Sequence, residues 1–343
     1  MNVRTVLFLV CVVVISFEGL VHATTVSYTT PGTYNFTVPA LVSSITIQAV
    51  GGAGGNCPGI PRSGGFGATV TATISVTPGE ILGIFVGGAG SDLDGGFNGG
   101  AAGSTTTDII QGCAGGGGGA SDVRQAGYAL INRVVIAGGG GGIGVAYPGN
   151  SSTAGGNAGT YPNGTGGAGE DIQAFAALPA GPGTGGSGGG TEDGGLAGVG
   201  GANFDARGGN GTFGLGGIGT ALAPPPPGRR GGVASTVGGG GGGGGYYGGG
   251  AGSIYNNVPA SPDVPATAGG GAGSSYVVST ATSTSIAVNT QAGANNGSVV
   301  LNYTPNASSA GPSTTNSNSS PASSHKQHML FVSLFRSLYA MLL

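Results

Sequence analysis

The stretch Gly115-Gly116-Gly117-Gly118-Gly119-Ala120-Ser121-Asp122-Val123-Arg124 leads, through a short polar loop, to Asn132-Arg133-Val134-Val135-Ile136-Ala137-Gly138-Gly139-Gly140-Gly141-Gly142. A patterned, partly apolar piece thus stands between two glycine runs. Glycine loses more backbone entropy on ordering than any other residue, so such runs are costly to fold. Either they belong to a disordered tether, or to an architecture that makes use of the missing side chains. A tether has no need of the apolar insert, and the insert favours order.

Outward from this stretch, residues on both sides alternate with period two. Tyr34, Phe36 and Val38 share one face while Asn35 and Thr37 take the other; Ile45, Ile47 and Ala49 oppose Thr46 and Gln48. Val70, Ala72, Ile74 and Val76 repeat the pattern, Pro78-Gly79 turns, and an apolar run covers 81–86. Beyond the glycine region, Ile286 and Val288 precede a loop with Asn296-Gly297, after which Val299, Leu301 and Tyr303 alternate. Alternation rich in Val and Thr and broken by Gly and Pro predicts antiparallel sheets.

Between these flanks the composition shifts. The chain has 82 Gly in 343 residues and only 6% charged residues, and further runs stand at 238–245 and 269–273. Large apolar residues are too sparse beyond 138 to fill a conventional core at native density. No strict Gly-X-Y period appears and Pro224 to Pro227 are isolated, which excludes collagen. The ordered alternative is a bundle of extended, three-residues-per-turn polyglycine helices, close enough for hydrogen bonds between backbones.

The order of these segments is specific. The 115–142 string, then Gly238 to Gly245 with Tyr246-Tyr247-Gly248, then Gly269-Gly270-Gly271-Ala272-Gly273-Ser274-Ser275-Tyr276-Val277, resembles the glycine-rich domain family over about residues 25–303. That family includes the extracellular glycine-rich domain of the anaplastic lymphoma kinase and leukocyte tyrosine kinase receptors. The resemblance implies an all-β, jelly-roll-like antiparallel sandwich interrupted by packed polyglycine-type helices, with a surface that binds a protein ligand. The receptors continue into a transmembrane helix and a kinase, and this sequence has neither. The expected organisation is a signal peptide at 1–23, the first part of a β-sandwich at 24–111, a glycine-rich domain at 112–274 and a closing β-hairpin at 275–303. A Ser/Thr/Asn-rich stalk and spacer (304–328) and an apolar tail (329–343) follow.

The ends predict an exterior location. Arg4, an apolar run over 6–17 and Val21-His22-Ala23 make a signal peptide too short to span a bilayer. At the other end, small residues, a polar spacer and a terminal apolar tail form the pattern of a GPI-anchor signal, with Asn318 as the attachment candidate. Arg336 interrupts that tail, and a mucin-like stalk is the alternative. Of the three cysteines, Cys11 lies in the signal peptide. Cys57 and Cys113 are then an even pair in an oxidising compartment, and a disulfide between them would contribute about 4 kcal/mol in the chain-entropy picture. Two free buried thiols are the alternative. Glycosylation sequons fall at Asn35, Asn150, Asn163, Asn210, Asn296, Asn302, Asn306 and Asn318. Asn35 and Asn302 lie on the polar faces of their strands, where a slip of one residue would bury them.

Several chemistries are excluded by residue type. All three histidines, His22, His325 and His328, and the lone lysine, Lys326, fall in the segments assigned to cleavage. The mature chain then lacks the neutral-pH titrating group, the usual zinc ligands and the Schiff-base amine. No Walker loop is possible, and Gly-x-Gly-x-x-Gly matches arise by chance at this glycine content. Gly87 to Asp92 is a single, imperfect copy of a calcium-binding repeat. Arg229-Arg230 is too little charge for nucleic acid. No catalytic residue, cofactor or metal is therefore assigned.

Asp122 and Arg124 are the most specific charged residues, read as a salt bridge or backbone contacts closing the first glycine turn. Tyr246 and Tyr247 either stack on a sugar or partner, or cap the glycine bundle. The reading is a secreted or cell-surface binding or adhesion module for an extracellular protein or glycan, held to membrane by a lipid anchor alone. A structural matrix or cell-wall protein is the alternative, and an ice-binding protein a more distant one.

Overall fold

Alternating Thr- and Val-rich stretches form strands because branched side chains pack well on a pleated, half-buried surface. In the computed structural model, the described residues are 22–57, 63–104, 114–146, 151–160, 163–171, 186–199, 208–219, 239–256, 265–290 and 295–306. They form strands β1 (Thr24–Tyr28), β2 (Gly32–Thr37), β3 (Ser44–Val50), β4 (Ala68–Ser75), β5 (Ile81–Val86), β6 (Ser121–Arg124) and β7 (Arg133–Ala137). After these come β8 (Gly144–Ala146), β9 (Ser151–Thr153), β10 (Ile254–Asn256), β11 (Pro265–Thr267), β12 (Tyr276–Val277), β13 (Thr282–Val288) and β14 (Ser298–Tyr303). A 3-10 turn over Leu130–Asn132 is the helical element among the described residues.

Two five-stranded antiparallel sheets carry the fold, in the orders β1-β14-β3-β4-β13 and β12-β7-β6-β5-β2. Short two-stranded pairs, β8-β9 and β10-β11, stand apart from them. Ile45, Ile47, Val70, Ala72 and Leu301 of the first sheet share one core with Leu82, Ile84, Val123 and Val135 of the second. The alternation read from sequence is the burial pattern observed: in β3, Ile45, Ile47 and Ala49 are buried while Gln48 is exposed.

The closing hairpin is corrected. β13 pairs with β4 while β14 inserts between β1 and β3, so the two strands lie apart in one sheet. Burial explains the difference. Val299 and Leu301 are wholly buried and need partners on both edges, whereas β13 is mostly exposed and suits a sheet edge. The division at residue 112 also fails, because β6 and β7 belong to the second sheet although they lie within 112–274.

Glycine segments continue these strands at one end of both sheets. β3, β5 and β7 run directly into 51–55, 87–90 and 138–142, while β4, β6 and β12 emerge from 64–67, 114–120 and 268–275. Along 115–119 the amides donate in turn to the carbonyls of Ile143, Ser91, Ala101, Gly140 and Gly88. Gly115 and Gly118 thus reach the same neighbour, as do Gly116 and Gly119. The amides of 139–143 donate to Gly244, Gly52, Gly156, Gly241 and Gly55, and those of 240–244 to Ala268, Gly115, Gly217, Gly271 and Gly118. Each neighbour returns every third residue, where a β-strand would alternate between two.

An amide that turns through three directions requires neighbours all round. The segment 138–143 is ringed by 52–55, 65, 115–118, 156, 241–244 and 270–273, which it meets through backbone hydrogen bonds given or received. Over 138–142 side chains have no place inside such a ring, and the wholly buried Ile143 ends the run. A Cβ on Gly139 would overlap the Gly118 carbonyl oxygen, one on Gly140 that of Gly65, and one on Gly141 that of Gly270. The glycines with positive φ lie outside this run, at positions such as Gly79 and Gly99, so the run is glycine for want of space rather than for backbone angle.

Candidate functional site

β6 brings the two charged residues of the glycine turn into the interior. Asp122 and Arg124 are both buried, and Arg124 Nε donates to Asp122 Oδ1 at 2.6 Å and Nη2 to Oδ2 at 3.2 Å. Asn98 Nδ2 donates to Asp122 Oδ2 at 2.8 Å and to the Ala120 carbonyl at 2.6 Å, tying a glycine loop to the pair. The guanidinium lies 3.5 Å above the centroid of the Phe85 ring and also donates to the Tyr128 carbonyl. Tyr128 in turn donates its hydroxyl to Asn35 Oδ1 at 2.8 Å. A Cβ on Gly83 would meet the Tyr128 ring at 2.7 Å, so glycine in β5 makes room for it.

Arg133 begins β7 directly opposite Arg124. Its guanidinium is buried, donating Nε to the Leu130 carbonyl at 2.9 Å, Nη1 to Gly245 at 2.7 Å and Nη2 to Tyr246 at 3.1 Å. The Gly245 carbonyl ends the described part of the glycine run, 239–245, and that of Tyr246 follows it, so a charge from the sheet caps the run. Burial pushes this guanidinium down to about 10, with Asp122 opposing and Arg124 reinforcing the drop. Asp122 thus faces two cations and offsets their repulsion.

Around Arg133 stands an aromatic cluster. Tyr246 stacks on Tyr276 with centroids 4.4 Å apart, and Phe213, Tyr246 and Tyr247 meet edge-on at 5.2 to 5.5 Å. Arg133 lies 4.8 Å from the Phe213 centroid and 5.4 Å from that of Tyr246. All four rings are partly exposed. Phe213 and Tyr246 lie against the cation, Tyr247 and Tyr276 pack on them, and all four stay half-exposed, an arrangement that packs against the glycine block and also offers apolar surface.

The structure does not bring Tyr246 and Tyr247 together with Asp122 and Arg124; Arg133 stands between the two groups. Sequence reasoning missed Arg133, Asn98, Phe85, Phe213 and Tyr276. For Arg133 a signal existed: a cation placed between an apolar strand and a loop, one strand length before a glycine run.

No family model matches this chain, and no curated protein matches it.

Asn35, Asn163, Asn210, Asn296, Asn302 and Asn306 are all exposed, whereas Asn150 and Asn318 lie outside the described residues. Oδ1 of Asn302 accepts from Thr25 at 2.6 Å, that of Asn210 from Ala197 N–H at 2.8 Å and that of Asn296 from Ala89 N–H at 2.9 Å. Asn163 Oδ1 accepts from its own sequon threonine, Thr165, and Asn306 donates to Ser43 Oγ at 3.0 Å. Cys57 is disulfide-bonded; Cys113, like Cys11, lies outside the described residues. Residues 1–21 of the expected signal peptide, 307–328 of the expected stalk and spacer, and the apolar tail at 329–343 lie outside them as well. Among the described residues no helix is long and apolar enough to cross a membrane, and no His, Cys, Asp or Glu cluster could hold a metal.

Proposed function

We propose that this chain is a non-enzymatic, extracellular recognition or adhesion module of the glycine-rich domain kind, displayed at the cell surface. Its two sheets make a jelly-roll-like sandwich, and its glycine segments are packed polyglycine-type helices that extend the sandwich as a rigid block. The observation that carries this reading is the three-residue return of lateral hydrogen bonds in 115–119, 139–143 and 240–244. Extended helices with three residues per turn have that period. A block bonded in three directions holds surface side chains in fixed places, which lowers the ordering cost of binding.

The recognition surface is the aromatic edge of Phe213, Tyr246, Tyr247 and Tyr276, for an extracellular protein or glycan. The signal peptide delivers the chain to the exterior, where the Cys57–Cys113 pair forms and the sequons are glycosylated. Asn318 receives a GPI anchor, the chain's sole tie to the membrane. Neither cofactor nor nucleic acid takes part.

The test uses the full chain expressed in a eukaryotic secretory host. A GPI-specific phospholipase is expected to release it from intact cells, and the released protein to bind a cell-surface or glycan display that Tyr247→Ala weakens. Retention inside the cell, or a Tyr247→Ala variant that binds as well as the parent, would overturn the proposal.

A further inference from the structure

The outer edge of the glycine block departs from the all-glycine rule in a regular way. In 194–199 and 215–218 the inward positions Gly195, Gly198 and Gly217 are buried, while every third residue faces solvent. Those outward residues are large and apolar: Leu196 is 65% exposed, Val199 49%, Leu215 56% and Ile218 61%. Between the two rows runs 208–212, joined to one by Gly211 N–H to the Gly195 carbonyl and to the other by Gly209 N–H to that of Ile218. Within 194–199 and 208–219 no residue is charged, and the polar side chains are Asn210 and Thr212 alone. These two are exposed and form the sequon Asn210-Gly211-Thr212.

We infer that the occupant of this apolar face is the chain's own N-linked glycan, carried on Asn210. The inference rests on the extracellular reading above. Ala197 N–H holds Asn210 Oδ1 at 2.8 Å, which fixes the amide and directs Nδ2, the atom that bears a glycan, away from that bond. In the transfer, Asn210 Nδ2 bonds to C1 of N-acetylglucosamine as C1 parts from a polyprenyl-diphosphate-linked oligosaccharide. The polyprenyl diphosphate leaves, and the amide proton passes to a base of the transferase. The C–H faces of the first sugars and their N-acetyl methyl groups then cover Leu196, Val199, Leu215 and Ile218, while their hydroxyls face water. An uncovered apolar face of this kind promotes association, and a glycan at its centre keeps the module soluble.

Thr212→Ala removes the sequon and leaves the Asn210–Ala197 bond in place; Thr212→Ser keeps both. Full chain expressed in an N-glycosylating host, collected from the medium or released from the cells by GPI-specific phospholipase, is treated with peptide N-glycosidase in heavy-oxygen water, and each sequon is read by mass spectrometry. Asn210 is expected to be occupied. Thr212→Ala, but not Thr212→Ser, is expected to raise the fluorescence of an apolar dye and to shift the protein to larger species in gel filtration. Adding Leu196→Ser and Leu215→Ser should reverse both changes. Occupancy at Asn35 or Asn302 with none at Asn210 would overturn this inference alone. A chain bare at every sequon would remove the extracellular reading with it. A glycosylated Asn210 whose Thr212→Ala variant shows parental dye signal and size would refute the covering role.

Discussion

Asp122 sits where no water reaches, and its carboxylate is matched oxygen by oxygen by Arg124 and Asn98. Breaking a buried pair by removing one partner costs about 3–5 kcal/mol, because the other charge stays buried without compensation. Asp122→Asn is therefore expected to lower unfolding free energy by about that amount in a denaturant titration. A loss within about 0.5 kcal/mol, the range of an ordinary surface substitution, would contradict this role. The variant leaves Arg124 facing Arg133 across the β6–β7 pair without the Asp122 charge that offsets their repulsion. The two residues Asp122 and Arg124 stood out in the sequence because they break a glycine and apolar context. Their partners did not, since Asn98 and Phe85 are polar-loop and strand residues like many others. What selects them is proximity in space, which local sequence does not encode.

At the scale of elements, strands were legible wherever apolar and polar residues alternate over one half-buried face, as in β3, β4 and β14. Pairing order was not. Nothing in the alternation of Val299, Leu301 and Tyr303 says that β14 inserts between β1 and β3. The glycine segments follow a second rule, in which the number of glycines per three residues reports how far a segment is enclosed. In 139–141 every position is glycine and the segment is ringed; in 194–199 the third position is released to Leu196 and Val199 at the surface. Which segments lie side by side cannot be read from them, because one glycine run is chemically the same as another. The rule makes a comparison available. Gly140→Ala drives a methyl into the Gly65 carbonyl, whereas a Cβ on Gly190 meets its nearest atom, the Asp193 carbonyl oxygen, at 3.2 Å. Overpacking of this kind costs about 1–3 kcal/mol or more, so Gly140→Ala is expected to lower the melting temperature clearly. Gly190→Ala should stay within about 1 kcal/mol of the parent, since it also removes freedom from the unfolded chain. Equal effects of the two would contradict the enclosed arrangement.

Over the whole molecule, two orders of packing meet at one end of the sheets. Side chains fill the core between them, and backbone packed on backbone fills most of the block beyond, with Ile143 and small side chains such as Ala251 and Ala272 buried in it. Glycine makes the second order expensive in entropy, and each hydrogen bond returns only about 0.5–1.5 kcal/mol net. The block is therefore held by its attachments: strands that run straight into it, Arg133 closing the run at 239–245, and Asn98 tying a loop to Asp122. The most direct measurement is amide hydrogen exchange of the full chain, followed through 138–142 and 240–244 by mass spectrometry. Protection in these segments comparable to that of β3 and β4 is the predicted result. Exchange there at the rate of an unstructured glycine peptide, with β3 and β4 still protected, would contradict it.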